Sequence, residues 1–175
     1  MLRKEVQKSE YNDFYGRYIE KVPENYELLS SYVEDKKRVL DFFNSISEEK
    51  LEYRYQPEKW SIKEVLQHMI DNERIFAIRL LRIARNDKTS LPGFDENIFI
   101  EPSKANQKSK QALLEEFTIT RDFSLNIVKS IDGSYLKNIG IVSDSSISVR
   151  ACAFLIIGHV MWHMNTIKER YLKQL

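Results

Sequence analysis

Apolar side chains recur along this chain at intervals of three and four, the spacing of one helix face, and seldom alternate as in a strand. From Glu24 to Ile46 they fall at Tyr26, Leu29, Tyr32, Val33, Val39, Leu40 and Phe43. Ser61-Ile62-Lys63-Glu64 has the form of a capping box, in which the serine accepts from the third helical amide and the glutamate reaches back to the serine amide. The helix it opens runs to about Arg85, where Asn86-Asp87 closes it. Ser103 is placed to cap a third helix ending near Ile131-Asp132-Gly133. Ser148 starts a fourth that reaches Tyr171 or beyond. The pattern therefore predicts helices over residues 25–45, 61–85, 104–131 and 148–172.

The segments between them read differently. Residues 1–23 are polar and tyrosine-rich and end at Pro23, and 47–59 is a connection in which Tyr53, Tyr55 and Pro57 suggest extended chain. About 17 residues, including Leu91-Pro92-Gly93-Phe94-Asp95-Glu96-Asn97, join the second and third helices, more than a bundle needs and of the kind that covers a site. Residues 134–147 are irregular or briefly extended. With only five glycines and four prolines and no internal repeat, the chain reads as one all-α domain, a four-helix bundle over 1–175.

Composition narrows the function classes. Charged residues are 30% and hydrophobic ones 42%, with a net charge of +1 and the two signs interspersed. No basic block argues for nucleic acid. The longest apolar run, Ala151 to Ile157, is too short to span a bilayer, and the first residues lack a signal-peptide pattern. The single cysteine, Cys152, forms no internal disulfide and suits a reducing compartment. The expectation is a cytoplasmic protein with no membrane partner.

All three histidines of the chain lie at inward positions. On the fourth helix Val149, Cys152, Ala153, Ile156, His159, Val160, His163 and Ile167 share one face, so His159 and His163 stand about 6 Å apart along the axis and point the same way. His68 shares the inward stripe of the second helix with Val65, Asn72 and Ile75. A histidine on an apolar face is ordinarily a core residue hydrogen-bonded to its neighbours. Three in one interior, two of them spaced i, i+4, also suit one metal ion with a coordination position left open, as in catalytic zinc sites. Such a site would bring the imidazole nitrogens within roughly 3–3.5 Å of one another. A di-iron bundle is excluded, because the residues three before each histidine are Val65, Ile156 and Val160 rather than glutamate. A zincin is excluded because Val160, not glutamate, follows His159.

These residues carry a resemblance. Trp60 through His68, Pro92-Gly93-Phe94-Asp95-Glu96-Asn97, and Gly158-His159 through His163 with Ile167-Lys168-Glu169-Arg170-Tyr171 make the chain similar to the DinB-like superfamily, in particular its YfiT-like metal-dependent hydrolases and bacillithiol transferases. The resemblance covers about residue 25 to the end. It implies an up-down-down-up bundle and one divalent transition metal, zinc or nickel, held by His68, His159 and His163. It also implies a homodimer and a small-molecule substrate, a low-molecular-weight thiol among the candidates. Relatives often carry histidine just before the last ligand, where this chain has Trp162.

Further candidates are weaker. Asp71, one turn past His68, either orients an imidazole or accepts a proton, or is a solvated carboxylate. Asp95 and Glu96 are expected near the pocket mouth by the resemblance, against the ordinary reading of loop acids. Trp60 suits a hydrophobic staple. Cys152, about 10 Å along the axis from His159, is rejected as a ligand. Lys168, Glu169 and Arg170 read as solvated surface. The function expected is a metal-dependent enzyme that activates water (hydrolysis) or a thiol (S-transfer). The alternative is a non-enzymatic, stress-associated bundle that binds a metal or small ligand.

Overall fold

A computed structural model describes residues 1–174. Its four long helices are α2 (Leu28–Asn44), α3 (Ile62–Ala84), α5 (Lys110–Lys129) and α6 (Val149–Thr166). Two short ones, α1 (Asp13–Ile19) and α4 (Asn97–Ser103), one hairpin, β1 (Ile139–Val142) with β2 (Ser145–Ser148), and several single turns of 3-10 or π type join them. The capping box of α3 forms: Ser61 Oγ accepts from the Glu64 amide at 3.2 Å, and Glu64 Oε2 accepts from the Ser61 amide at 2.7 Å. Ser148 caps α6 by accepting from the Ala151 amide. The hairpin turns at Ser143 and Asp144, both at positive φ, and pairs Gly140 with Ile147.

One boundary needs correcting. The third long helix begins at Lys110, not near 104, and its cap is Ser109, whose Oγ accepts from the Ala112 amide at 3.1 Å. Ser103 instead ends α4, because Lys104 turns to the left-handed region at φ 52° and breaks the run. The segment read as a plain loop thus contains a helix. At the other end α6 closes at Thr166 and the chain continues as a π-type turn, Ile167–Tyr171.

Cross-helix contacts give the direction of each helix. Asp35 meets Arg121 while Asn44 and Ile46 meet Lys110, so α2 and α5 are antiparallel. Gln67 meets Lys108 and Arg74 meets Thr120, so α3 and α5 are parallel. His68 meets His163 and Phe76 meets Cys152, so α3 and α6 are antiparallel. Tyr32 meets Ala153 and Phe42 meets Lys168, so α2 and α6 are parallel. The bundle is up-down-down-up.

Two apolar clusters fill it, one around Met69, Phe117, Val160 and Met164, the other around Tyr32, Phe76, Leu80 and Phe154. Between them lies a polar layer. Arg121, fully buried, binds Glu73 through Nε and NH2 at 2.8 Å each and Asp35 through NH1 at 2.7 Å. A buried charge costs several kcal/mol unless paired, so this layer fixes the axial register of α2, α3 and α5: sliding one helix by a turn would strand an ion among aliphatic side chains.

Candidate metal centre

The antiparallel packing of α3 against α6 brings the histidines together. His68 projects from the second turn of α3, and His159 and His163 from successive turns of α6, and all three are buried. Their Nε2 atoms form a triangle with every side 3.1 Å. Hydrogen bonds cannot satisfy such a triangle. Each neutral Nε2 carries either a proton or a lone pair. With three atoms and two roles, at least one side joins two donors or two acceptors. A cation, by contrast, takes three lone pairs at once. Bonds of about 2.0–2.1 Å reach all three corners, since each corner is only about 1.8 Å from the triangle's centre. The donor set therefore fits a metal ion better than it fits a hydrogen-bonded core.

Electrostatics agrees. Burial pushes the His68 imidazole down to about 4. Burial, and then repulsion from the neighbouring imidazoles, holds His159 and His163 well below the usual histidine range. All three are neutral near pH 7, the state a ligand requires.

Aromatic rings enclose the triangle. Trp60 lies against His68 with centroids 4.8 Å apart, and the Tyr171 hydroxyl, brought round by the π-type turn, donates to the Trp60 carbonyl at 2.9 Å. Trp162 meets His163 edge-on at 4.7 Å, and Tyr18 of α1 meets His159 at 5.2 Å and Trp162 at 5.7 Å. Tyr18 is there because Gly158 admits it. A Cβ at residue 158 would stand 2.1 Å from the Tyr18 carbonyl oxygen, so only glycine lets the α1 backbone rest on α6 beside His159. Two cavities of about 420 Å³ each reach the triad, one along α3 to His159, the other between Trp60 and Trp162 to His68 and His163. Phe14, Tyr18 and Glu96 border both.

The sequence profile of the DinB superfamily matches residues 31–167. The chain belongs to the DinB superfamily. Among solved structures it is similar to YfiT from Bacillus subtilis, described as a probable metal-dependent hydrolase with an unusual four-helix bundle topology. The TM-score is 0.75, over 88% of this chain and 93% of that one, at 14% identity, which is a likeness of fold. No curated protein matches the chain in sequence.

Within this DinB fold the remaining candidates separate. Glu96 lies at the rim shared by the two cavities, its carboxyl pushed up by burial and then by Asp95. Asp95 itself accepts from the Asn97 backbone and side-chain amides, an exposed turn contact, and lines neither cavity. Asp71 does not face the imidazoles. Its Oδ1 accepts from Gln67 at 3.0 Å and Arg74 at 3.2 Å, in the groove between α3 and α5. One residue shifts the helix face by about 100°, so Asp71 points toward α5 while Asn72, i+4 from His68, points into the cavity. Cys152 is buried, with Sγ 3.7 Å from the Phe76 carbonyl and its thiol pushed up to about 12 by burial, away from the triad. Trp60 packs on a candidate ligand ring as well as at the helix start.

Tyr18 and Arg79 were not singled out by sequence, and Phe94 only as part of the Pro92–Asn97 stretch. The sequence does hold a signal for α1: Asn12, which accepts from the Tyr15 amide at 2.9 Å, precedes Phe14, Tyr15, Tyr18 and Ile19 at helical spacing. Among the described residues no helix is long and apolar enough to cross a membrane.

Proposed function

We propose that this protein is a metal-dependent enzyme acting on a small molecule, with His68, His159 and His163 holding one divalent transition-metal ion, zinc or nickel. The observation that carries the reading is the triangle of buried Nε2 atoms 3.1 Å apart, which hydrogen bonding alone cannot satisfy. When bound, such an ion supplies Lewis acidity, lowering the pKa of a coordinated water or thiol, which suits hydrolysis or thiol S-transfer. The chain's own residues supply the rest. Trp60, Trp162 and Tyr18 keep water off the sides of the imidazoles and fix the ring planes. Glu96, at the common rim with a raised carboxyl pKa, is the group placed to exchange a proton with a molecule entering either cavity. The Tyr18 hydroxyl, its pKa raised by burial, stays protonated and serves as a donor. The description of YfiT as a probable metal-dependent hydrolase supports this reading.

The test is metal analysis of protein produced without a histidine tag, followed by cobalt substitution. One equivalent of metal and a visible spectrum that changes when a thiol or inhibitor anion is added are expected. A protein that takes up no cobalt, or one whose cobalt spectrum ignores every exogenous ligand, refutes the proposal.

A further inference from the structure

The cavity that runs from His159 along α3 is walled by two buried polar side chains, Arg79 and Asn72, with donors that the chain itself does not use. Arg79 is 6% exposed. Its guanidinium donates to the Pro92 carbonyl and lies over the rings of Phe76 and Phe94, at 4.8 and 5.5 Å from their centroids. Among the described residues it meets no carboxylate. The other buried arginines do: Arg121 has Glu73 and Asp35, and Arg150 has Glu10. Burial depresses the Arg79 pKa, but a guanidinium stays charged in proteins. A buried charge without a partner is costly, and here the open side of the group is the cavity.

Asn72 stands seven residues earlier, two turns back on the same face of α3. It is 8% exposed, lines the same cavity, and among the described residues its amide bonds to nothing. Two neighbouring polar groups are engaged: Asn12 donates to Ser145 Oγ at 2.7 Å and Tyr15 to the Val142 carbonyl at 3.1 Å. Beyond the Tyr18 hydroxyl and the Glu96 carboxyl at the rim, the wall of the cavity that ends at His159 therefore holds two buried side chains with open donors, Arg79 and Asn72.

We propose that this cavity binds the carboxylate of a small monocarboxylic substrate, Arg79 pairing with it and Asn72 donating to the same group or to the chain between it and the histidines. The assignment rests on the proposed function only in placing the reacting end at the triad. A planar carboxylate matches the guanidinium fork. A phosphate dianion would bring a second negative charge into a wall that already carries the Glu96 carboxyl at its rim, whose only cation among the described residues is Arg79 and whose remaining surface includes Phe76, Phe94 and Leu155. Those apolar walls suit an aliphatic or aromatic body between the two ends.

The experiment titrates the full chain, cobalt-loaded and metal-free, with thioglycolate and mercaptohexanoate and with their carboxamides, using calorimetry and the Asn72 side-chain amide resonance. In wild type at least one carboxylate is expected to bind tenfold or more tighter than its amide in both forms and to shift the Asn72 resonance. Arg79→Gln is expected to abolish the preference and Arg79→Lys to restore part of it. Equal affinity of acid and amide for wild type, a preference that survives Arg79→Gln, or no binding of any of the four compounds overturns the proposal. The cobalt spectrum of the same samples reports separately on the triad. Failure of the metal reading with the carboxylate preference intact, or the reverse, identifies which assignment is wrong.

Discussion

Replacing Gly158 by alanine tests the contact that brings α1 to the site. The added Cβ would lie 2.1 Å from the Tyr18 carbonyl oxygen and 2.6 Å from its carbon, where ordinary contact begins near 3.4 Å. The α1 backbone must therefore withdraw by more than 1 Å. It is poorly placed to do so. Ile19 and Tyr15 are buried, and Tyr11 is held in a bridge to Ile147. Overpacking of this kind costs about 1–3 kcal/mol. Against it stands the better helix propensity of alanine, worth about 0.8–1.0 kcal/mol inside α6. A clash with backbone, which cannot swing aside as a side chain would, puts the cost at the upper end of that range, so the net expectation is a loss of about 2 kcal/mol, or roughly 4–8 °C in Tm for a chain of this size. Because Tyr18 also touches His159 and Trp162, near-ultraviolet circular dichroism should change more than the far-ultraviolet helix signal. Gly133→Ala, where a Cβ meets nothing within 4 Å, is the control and should stay within about 0.5 kcal/mol. A Gly158→Ala protein that melts at or above wild type with an unaltered aromatic spectrum would refute the reasoning.

Three further outcomes are expected. His163→Ala should weaken metal binding by more than the roughly 10–100-fold that loss of a supporting partner costs, while the metal-free melt stays near wild type; calorimetric metal titration beside thermal melts checks both. The metal-free protein should lose stability as pH falls. His68 has a folded pKa of about 4 against an ordinary 6.5, so the unfolded chain binds the extra proton. Stability is full above about pH 6.5 and declines toward pH 4, by about 3 kcal/mol from this residue, as urea unfolding across that window would show; a flat profile contradicts it. Arg121→Met strands the Glu73 carboxylate in the core and should cost about 3–5 kcal/mol in urea, while Arg121→Met with Glu73→Leu should recover most of it, since Asp35 keeps Arg38 at 3.0 Å.

Much of the site was legible because it lies on regular helices. The i, i+4 spacing of His159 and His163 and the inward stripe of His68 depend only on helix period, so convergence of the three followed once the two helices faced one another. Asp71 was left between two readings for the complementary reason. At i+3 from His68 its Cβ falls on the flank toward α5, and only the packing of α5 shows that Gln67 and Arg74 take its carboxylate. Tyr18 depends on a contact between segments well over a hundred residues apart, and Gly158 is its sole local trace. Arg79 could not be distinguished in sequence from the chain's other arginines. Its distinction is burial without a carboxylate partner, which no sequence pattern records.

The topology shows the same division, and it bears on the site. Hydrophobic spacing marks which face of each helix is buried but not which helices run parallel. The clue lay in connection length. Because α3 and α5 are neighbours that point the same way, the chain leaving Ala84 must return the whole length of the bundle before Lys110 begins. A helix of about 20 residues is about 30 Å long, so a short turn is impossible and residues 85–109 form a crossover. That crossover supplies Pro92 and Phe94 around the Arg79 guanidinium and Glu96 at the rim of both cavities. An antiparallel α3–α5 pair would need only a few linking residues and would leave the His159 cavity open along that side. The parallel pair thus makes the covering segment a structural necessity, and the cavity wall is built from residues that the topology already requires to be there.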